Sequence, residues 1–564
     1  MNTKVNLTTF AAILALGGAL LFSYSFLDNG KYFEIAKNLE LYADLYRELD
    51  ESYVDEINPA GLMRKGIDSM LKTLDPYTNY ITEAQIEGFR MQRTGASGSI
   101  GVDLLLRNDY VYLSDVYENQ PAQKAGLMAG DKISAINGAS AKDRTIEEVQ
   151  QILQGQPGSE LKITYLRPGE SAEQTVTVLR NKEEGNSVPH FSMLNKNTGY
   201  IKMKSFTQNC TAEVAEALEK LQKDNEVKNL VLDLRHNGGG LLTEAINMVN
   251  LFVPKGQVVV STSGKTEEWQ KEYKTPSEPL APDLPLVILI DEKSASASEI
   301  VSGTIQDLDR GVIIGVKSFG KGLVQQTKDI GYNAKLKLTV SKYFIPSGRC
   351  VQAIDYSGRY LDGISTVPDS LRKTFKTRNG RTVYDGSGVT PDVEVQQPKY
   401  ANITQSLLDN YLIFDYATQY RQQHDSIAPP TEFDLTDADF DSFVKFLADK
   451  NYEYTTESEK NLKQLLESVK EENYSNAVEA VIAKLQNTIK EEKQKDLRKY
   501  KNEITELLKL EIISRYYFQK GEIQATLNDD DNIKKALALF SNAAEYEKIL
   551  KGAGTPATNP KGKK

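Results

Sequence analysis

Residues 286–308 read LVILIDEKSASASEIVSGTIQDL, and three patterns follow one another in this run. The five branched apolar residues from Leu286 to Ile290 predict a strand that is buried on both faces. Small residues follow, from Ser294 to Ser298, and the spacing from Ile300 to Leu308 predicts a helix. A strand that leads directly into a helix is typical of an α/β fold. A serine at such a junction lies beside the unpaired N–H groups of the helix N-terminus, which stabilise negative charge.

The same alternation of strands and helices extends on both sides of this junction, from Gly199 to Val395. The apolar runs that predict strands are Tyr200 to Met203, Leu230 to Leu234, Leu286 to Ile290, Gly311 to Val316 and Lys335 to Lys342. We therefore expect an α/β core with a mixed sheet.

The flanking regions follow other patterns, so the expected fold class is α+β and multidomain. Between about residues 95 and 180, short strands and turns surround one predicted helix, Thr145 to Leu153. Between Pro430 and Gly521, no Gly or Pro interrupts the helical spacing. The expected domains are a signal or anchor helix at 1–30, a helical domain at 31–92, a β-rich domain at 93–185, the α/β core at 186–400, a helical domain at 401–550 and a disordered tail at 551–564.

The N-terminus carries Lys4 and then an uncharged run from Leu7 to Leu27, about the 20 residues that a helix needs to cross a bilayer. The run is longer than the usual signal-peptide core of ~7–15 residues, which favours a retained anchor. Ser23 and Ser25 offer a weak cleavage site, so a cleaved signal is the first alternative and a buried core helix the second. Either export signal places the rest of the chain in the periplasm of a bacterial envelope, next to the inner membrane.

Composition excludes several classes of protein. The formal charge is −10, from 68 Lys and Arg against 78 Asp and Glu, so the chain lacks the positive field that nucleic-acid binding needs. Two cysteines, Cys210 and Cys350, and three histidines cannot supply a disulfide framework or a four-cysteine zinc site. We expect no nucleic-acid partner, no metal and no cofactor.

Residues 98–102, GSIGV, place glycines beside consecutive backbone N–H groups, an arrangement that can bind a carboxylate. With the segments PAQKAGL at 121–127 and GDKI at 130–133, this region resembles a PDZ domain. The resemblance implies that a free peptide C-terminus with an apolar last residue pairs with the strand around Ile100 to Leu104. The expected peptide-binding residues are Gly98, Ser99, Ile100, Gly101, Val102, Val149 and Ile152. A β-rich spacer without a ligand is the alternative.

A serine nucleophile at the junction would need a base, because its hydroxyl is unreactive at neutral pH. His236 lies beside three glycines, but no GxSxG segment is present. Lys321 lies between two glycines at the end of a predicted strand. Desolvation there would lower the pKa of the lysine, and a change from ~10.4 to ~8 costs roughly 3 kcal/mol. A Ser/Lys dyad is therefore physically reasonable.

The segments SASASEI at 294–300 and SFGKGLVQ at 318–325 resemble the active-site stretch of the carboxyl-terminal processing, or tail-specific, serine proteases. The resemblance extends over about residues 35 to 395. It implies that Ser296 is the nucleophile, that Lys321 is the general base and that Gln325 orients the lysine. The implied oxyanion-hole donors are the backbone N–H groups of Ala297 and Gly239, with Gly240 as the next candidate. The same resemblance leaves His236 without a catalytic role and makes residues 354–387 an insertion.

The expected function is that of a serine endopeptidase that recognises and cleaves the C-terminal tails of exported proteins or peptides. Two other classes stay open. A catalytically inactive adaptor would only capture tails, although the presence of both Ser296 and Lys321 argues against it. An ATPase would use GVKSFGK at 315–321 as a phosphate-binding loop, but Gly322 replaces the Ser or Thr that would bind magnesium. The helices predicted at 31–92 and 401–550 are candidates for homodimer contacts.

Overall fold

A computed structural model describes residues 31–83, 85–86, 98–182, 187–356, 365–396, 399–472 and 476–552. The expected anchor run at 7–27 and all but the first two residues of the expected tail lie outside these ranges. Among the described helices, none combines the length and the apolar character needed to cross a bilayer. The chain divides into two compact units, with the boundary between Tyr80 and Ile81.

The first unit is helical. One helix spans residues 31–52 and a second spans Pro59–Lys72. The second helix begins where the Asn58 side chain accepts the N–H of Gly61 at 3.1 Å, with a proline at its first position, as is usual for a helix start. It is followed by a turn in which the Asp75 carboxylate accepts the N–H groups of Tyr77 and Thr78, each at 2.8 Å, before the short strand Asn79–Ile81.

Residues 98–182 form a β-rich domain around an antiparallel sheet. In spatial order its strands are Val102–Arg107, Tyr110–Val116, Lys132–Ile136, Glu160–Leu166 and Gln174–Leu179. Ala139–Ser140 pairs with the third of these strands, and Gly98–Ser99 pairs with Asn181–Lys182. The helices are Pro121–Lys124 and Ile146–Leu153, and the second begins with a capping box between Thr145 and Glu148. Within the described part of this sheet, Val102–Arg107 is an edge strand.

The core contains a six-stranded sheet that is parallel apart from its first strand. Its strands, in spatial order, are His190–Met193, Thr198–Lys202, Asn229–Asp233, Leu286–Ile290, Val312–Gly315 and Val393–Glu394. One face packs in a large hydrophobic cluster with the helices Cys210–Asp224, Leu242–Asn250 and Ala297–Asp307. Its central strands are covered on both sides, and each contains at least three consecutive Val, Ile or Leu residues, as is typical of buried parallel strands.

A second, antiparallel sheet contains the strands Leu323–Asp329, Lys335–Phe344, Val258–Gly264 and Lys271–Lys274. A 3₁₀ turn at Glu267–Trp269 connects the last two of these in sequence. The insertion expected at 354–387 contains two small hairpins and a 3₁₀ turn, namely Ile354–Asp355 with Ser365–Thr366, Thr374–Lys376 with Thr382–Tyr384, and Asp369–Leu371.

The C-terminal region is helical, and its last helices cover the other face of the core sheet. Its helices are Asn402–Asp409, Leu412–Gln423, Asp437–Phe446, Glu457–Glu471, Asn476–Lys493, Asp496–Lys499, Lys501–Thr526, Asp531–Ser541 and Ala543–Leu550, with a 3₁₀ turn at Leu447–Asp449. The helix Lys501–Thr526 is interrupted at Phe518, whose φ of 55° and ψ of −165° are not helical. From the last two helices, Ile533 and Tyr546 join one hydrophobic cluster with Val231 and Val287 of the sheet.

The expected α+β multidomain class is confirmed, with a helical N-terminal part, a PDZ-like domain, a mixed-sheet core and a helical extension. The strand at Leu286–Ile290 has the predicted bounds. The helix that follows begins at Ala297 rather than at Ile300. Its first turn contains small and polar residues, which apolar spacing alone does not assign to a helix.

Candidate active site

Ser296 lies at the N-cap of the helix Ala297–Asp307, where the chain turns from strand to helix. Its φ of 55° and ψ of −112° are unusual for a residue with a side chain. Such a conformation persists only where neighbouring groups fix it. Here the carbonyl of Asn237 accepts the N–H of Ala295 at 3.0 Å and the hydroxyl of Ser298 at 2.8 Å. The chain is therefore anchored to Asn237 both before and after Ser296.

The buried carboxylate of Glu299 holds Ser296 and Lys321 close together. Its Oε2 accepts the backbone N–H of Ser296 at 2.9 Å and that of Lys321 at 2.8 Å. The two nitrogens therefore lie within about 6 Å of each other. Oε1 accepts the N–H of Gly320 at 2.7 Å and the hydroxyl of Ser318 at 2.6 Å. Burial raises the pKa of Glu299 to about 7, and these four hydrogen bonds act in the opposite direction.

Tyr343 forms a second connection between the same two residues. Its hydroxyl lies 2.7 Å from the carbonyl oxygen of Lys321 and 3.2 Å from that of Ser296. The side chain is buried, and burial raises its pKa well above the usual tyrosine range. The hydroxyl therefore stays protonated and donates to these carbonyl groups.

Gln325 lies on the strand that begins two residues after Lys321. Its Nε2 donates to Oγ1 of Thr339 on the neighbouring strand at 3.2 Å. The strand pairing is irregular between Val324 and Gln325, and such bulges redirect side chains. The orientation of Lys321 by Gln325 stays a prediction.

The glycine loop, residues 235–240, lies against Ser296. Gly239 has a φ of 98°, and a Cβ placed on it would lie 2.8 Å from Cβ of Ser296 and 2.9 Å from the nitrogen of Ala297. Only a glycine allows this approach. The N–H of Gly239 donates to Oδ1 of Asn237 at 2.9 Å. Within the described residues, no protein acceptor contacts the N–H of Ala297 or that of Gly240.

Hydrogen bonds to neighbouring segments of the core hold the glycine loop in place. The Asn237 side chain donates to the carbonyl of Met203 at 3.1 Å, and the N–H of His236 donates to Oδ1 of Asp291 at 2.9 Å. The Nδ1 atom of His236 lies 2.5 Å from Oδ2 of Asp291. Burial would raise the pKa of Asp291, but the hydrogen bonds from His236 hold it at about 2. His236 thus holds the glycine loop on the end of the strand Leu286–Ile290.

The PDZ-like domain brings together the predicted carboxylate loop and an edge strand. Gly101 has a φ of 75°, and its carbonyl accepts the N–H of Tyr117 at 2.9 Å. In the part of the chain that the structure describes, no protein acceptor contacts the N–H of Ile100 or that of Gly101. The strand Val102–Arg107 and the helix Ile146–Leu153, which carries Val149 and Ile152, share one hydrophobic cluster. The strand edge, the helix and the loop have the arrangement that addition of a peptide strand would require.

Comparison with known protein families gives three matches, to peptidase family S41 at residues 197–358, to a PDZ domain at 112–167, and to the C-terminal helical domain of probable PDZ-proteases at 403–540. A carboxy-terminal-processing protease of Bartonella bacilliformis is 30% identical over 365 residues, which are 64% of this chain and 76% of that protein. The chain belongs to peptidase family S41.

Two further known proteins are similar to this peptidase. A probable CtpA-like serine protease of Staphylococcus aureus, strain MRSA252, is 32% identical over 369 residues, which are 65% of this chain and 66% of that protein. Among solved structures, a photosystem II D1 C-terminal processing protease is 25% identical, covers 63% of this chain and 92% of its own, and has a TM-score of 0.37. One of these two bacterial relatives is named a carboxy-terminal-processing protease and the other a probable serine protease, and the expected serine-type endopeptidase is confirmed at the level of the family.

The sequence patterns that predict the site indicate no role for Glu299, for Tyr343 or for Asp530, whose carboxylate pairs with Arg235 at 2.6 Å. The spacing of Ser296 and Glu299 is the S-x-x-E signature of a capping box, and this signal points to Glu299 as a structural partner of the serine. No local signal identifies Tyr343 or Asp530, because their contacts join distant parts of the chain. Among the described residues, no group of His, Cys, Asp and Glu side chains is arranged to hold a metal ion.

Proposed function

We propose that this S41 peptidase captures the C-terminal tail of a protein substrate in its PDZ domain and cleaves the substrate with a Ser296/Lys321 dyad. The observation that carries this proposal is the single Glu299 oxygen that accepts both backbone N–H groups. It places the two residues side by side on a rigid, buried support, as nucleophilic catalysis requires.

In the proposed reaction, Oγ of Ser296 attacks the scissile carbonyl carbon while Nζ of Lys321, uncharged before attack, accepts the hydroxyl proton. The tetrahedral intermediate collapses, the peptide C–N bond breaks, and the leaving amine takes the proton from Lys321. An acyl-enzyme on Ser296 results. Water then attacks this ester, gives a proton to Lys321, and the proton returns to Ser296 as the new carboxyl product leaves.

We assign the oxyanion hole to the backbone N–H groups of Ala297 and Gly240. Ala297 is the first residue of a helix, where the N–H groups lack intrahelical acceptors and the helix dipole favours an anion. The N–H of Gly239 already donates to Asn237, so its part in the proposal is to let the loop approach Ser296 closely. Removal of one such donor typically reduces kcat by about 10²–10³-fold.

Tail capture in this proposal is strand addition to Val102–Arg107. The N–H groups of Ile100 and Gly101 bind the terminal carboxylate, and the apolar last residue packs on Ile152. Val149, also expected to contact the peptide, has a fully buried side chain that supports the helix from the domain core. The groove is connected to the core through Lys204, whose Nζ donates to the Tyr117 hydroxyl at 2.5 Å. Tyr117 in turn donates to Asp103 on the groove strand at 2.5 Å. Tail binding is therefore placed to alter the core and gate access to Ser296.

In this proposal the protein lies in the periplasm, residues 7–27 anchor it in the inner membrane, and two copies of the chain form a homodimer. The anchor rests on the apolar sequence alone. The dimer rests on exposed apolar side chains along the helix at 31–52, such as Phe33 at 70% and Leu39 at 65% exposure. Membrane fractionation of the full chain tests the anchor, and light scattering of the chain without its first 28 residues tests the dimer.

The decisive experiment incubates wild type, Ser296→Ala and Lys321→Ala with a protein that carries an apolar C-terminal tail, and identifies the fragments by mass spectrometry. Cleavage is expected with wild type alone. Lys293→Ala is the matched control, because this exposed lysine lies three residues before Ser296 and should leave cleavage intact. Cleavage by Ser296→Ala would exclude the proposed nucleophile. Tail binding without any cleavage by wild type would favour the inactive adaptor.

A further inference from the structure

A cluster of charged side chains surrounds Asp233, at the end of the strand that leads into the glycine loop. Asp233 is fully buried, and it lies 3.2 Å from the ammonium of Lys202 and 2.6 Å from the guanidinium of Arg235. Tyr200 also donates its hydroxyl to this carboxylate, at 2.8 Å. Both cations are only 17% exposed. Two cations against one carboxylate leave an excess positive charge where little water is present, and such a charge needs a further partner.

The C-terminal helical domain supplies that partner. Oδ2 of Asp530 lies 2.6 Å from Nη1 of Arg235, and its side chain is 12% exposed. Asp530 is also the N-cap of the helix Asp531–Ser541, since its Oδ1 accepts the N–H of Asn532 at 2.8 Å and that of Ile533 at 3.1 Å. One oxygen therefore begins the helix and the other pairs with the glycine loop.

Arg235 is well placed to transmit this contact, because it is the first residue of the glycine loop. Its N–H donates to Asp233 at 2.9 Å, and its carbonyl accepts from Nζ of Lys202 at 2.8 Å. The helix that carries Asp530 is itself held on the core sheet. The hydroxyl of Tyr546, in the next helix, lies 3.0 Å from the nitrogen and 2.9 Å from the oxygen of Leu286.

We propose that Asp530 is a positioning residue for catalysis, through which the C-terminal helical domain fixes Arg235 and, with it, the oxyanion-hole side of the glycine loop. The inference rests on the proposed role of this loop. Without Asp530, the guanidinium loses its second carboxylate and the loop backbone gains freedom. A preorganised donor that gains such freedom stabilises the transition state less, whereas substrate binding is little affected.

Two substitutions separate positioning from helix capping. Asp530→Asn keeps a good N-cap but removes the charge that faces Arg235. Asp530→Glu keeps the charge but is not among the preferred N-caps. Positioning predicts that Asp530→Asn reduces kcat by about tenfold or more with KM changed less than about twofold, and that Asp530→Glu retains most of kcat. Asp437→Asn is the matched control, because it removes an exposed ion pair with Lys501 in the same domain.

Melting temperatures of all variants are measured beside kcat and KM, at a temperature where each is folded. The proposal is overturned if Asp530→Asn keeps the wild-type kcat, if Asp530→Glu loses as much kcat as Asp530→Asn, or if Asp437→Asn loses kcat equally. These results would leave cleavage dependent on Ser296 and would not touch the proposed function. Cleavage that persists in Ser296→Ala would instead contradict the proposed function itself.

Discussion

Ser296 and Lys321 stand 25 residues apart in the chain, and their backbone N–H groups donate to the same carboxylate oxygen. Because both contacts are to the backbone, they fix where each side chain begins without occupying its reactive atom. Glu299 supplies this oxygen, so its substitution is expected to affect catalysis.

We expect Glu299→Gln to reduce kcat by about 10- to 100-fold, since an amide has one acceptor oxygen where the carboxylate accepts from four donors. Each buried donor left without an acceptor costs about 1–3 kcal/mol. Steady-state kinetics and thermal unfolding measure the two effects. Glu292→Gln, an exposed change in the same connection between strand and helix, serves as control and should behave as wild type. An unchanged kcat in Glu299→Gln would contradict a positioning role.

The raised pKa of Glu299 predicts how stability varies with pH. Burial raises this pKa from 4.5 to about 7, so the folded protein binds more protons than the unfolded chain between these values. The contribution of this group to stability is therefore greatest below pH ~4.5 and declines as the pH rises to ~7, by at most about 3 kcal/mol. Denaturant unfolding of wild type and Glu299→Gln from pH 5 to 8 measures it. The difference between the two proteins should depend on pH, and a constant difference would refute the assignment.

Gly239→Ala is expected to reduce kcat more than 100-fold, since a Cβ at this position would lie 2.6 Å from the carbonyl oxygen of Ala295 and 2.8 Å from Cβ of Ser296. Gly238→Ala offers a comparison within the same loop, because a Cβ there has no neighbour within 4 Å. We expect it to cause at most a severalfold reduction. Labelling of Ser296 by a fluorophosphonate probe reports the result directly, and equal labelling rates would argue against close approach of Gly239.

Gly101→Ala should weaken binding of a peptide with a free apolar C-terminus by tenfold or more, roughly the loss expected when a carboxylate loop is displaced. A Cβ on Gly101 would lie 2.3 Å from Cβ of Gln120. Gly126→Ala is matched for backbone strain, with a φ of 82° against 75°, but its Cβ has no neighbour within 4 Å. Fluorescence anisotropy in the Ser296→Ala background measures affinity, with an amidated peptide as ligand control. Equal affinities of the two variants would place the carboxylate elsewhere.

The sequence predicts those parts of the structure that short-range patterns determine. The strand at Leu286–Ile290 is an unbroken branched run, and Thr145 begins its helix through a capping signature that lies within four residues. Apolar spacing alone does not predict the first turn of the helix that begins at Ala297, because that turn contains small and polar residues, and only the Ser296/Glu299 capping signature indicates it. Contacts between distant segments escape it entirely, because nothing near Asp530 indicates that a loop 295 residues earlier lies against it.

The position of Asp530 late in the chain has a consequence for biosynthesis. During synthesis from the N-terminus, Ser296, Lys321 and the glycine loop emerge more than 200 residues before the aspartate that pairs with Arg235. A nascent peptidase would then hold Ser296 in an unfinished, latent form until the last helices had folded onto the sheet. Such timing would protect the enzyme and its neighbours from premature cleavage until synthesis is complete.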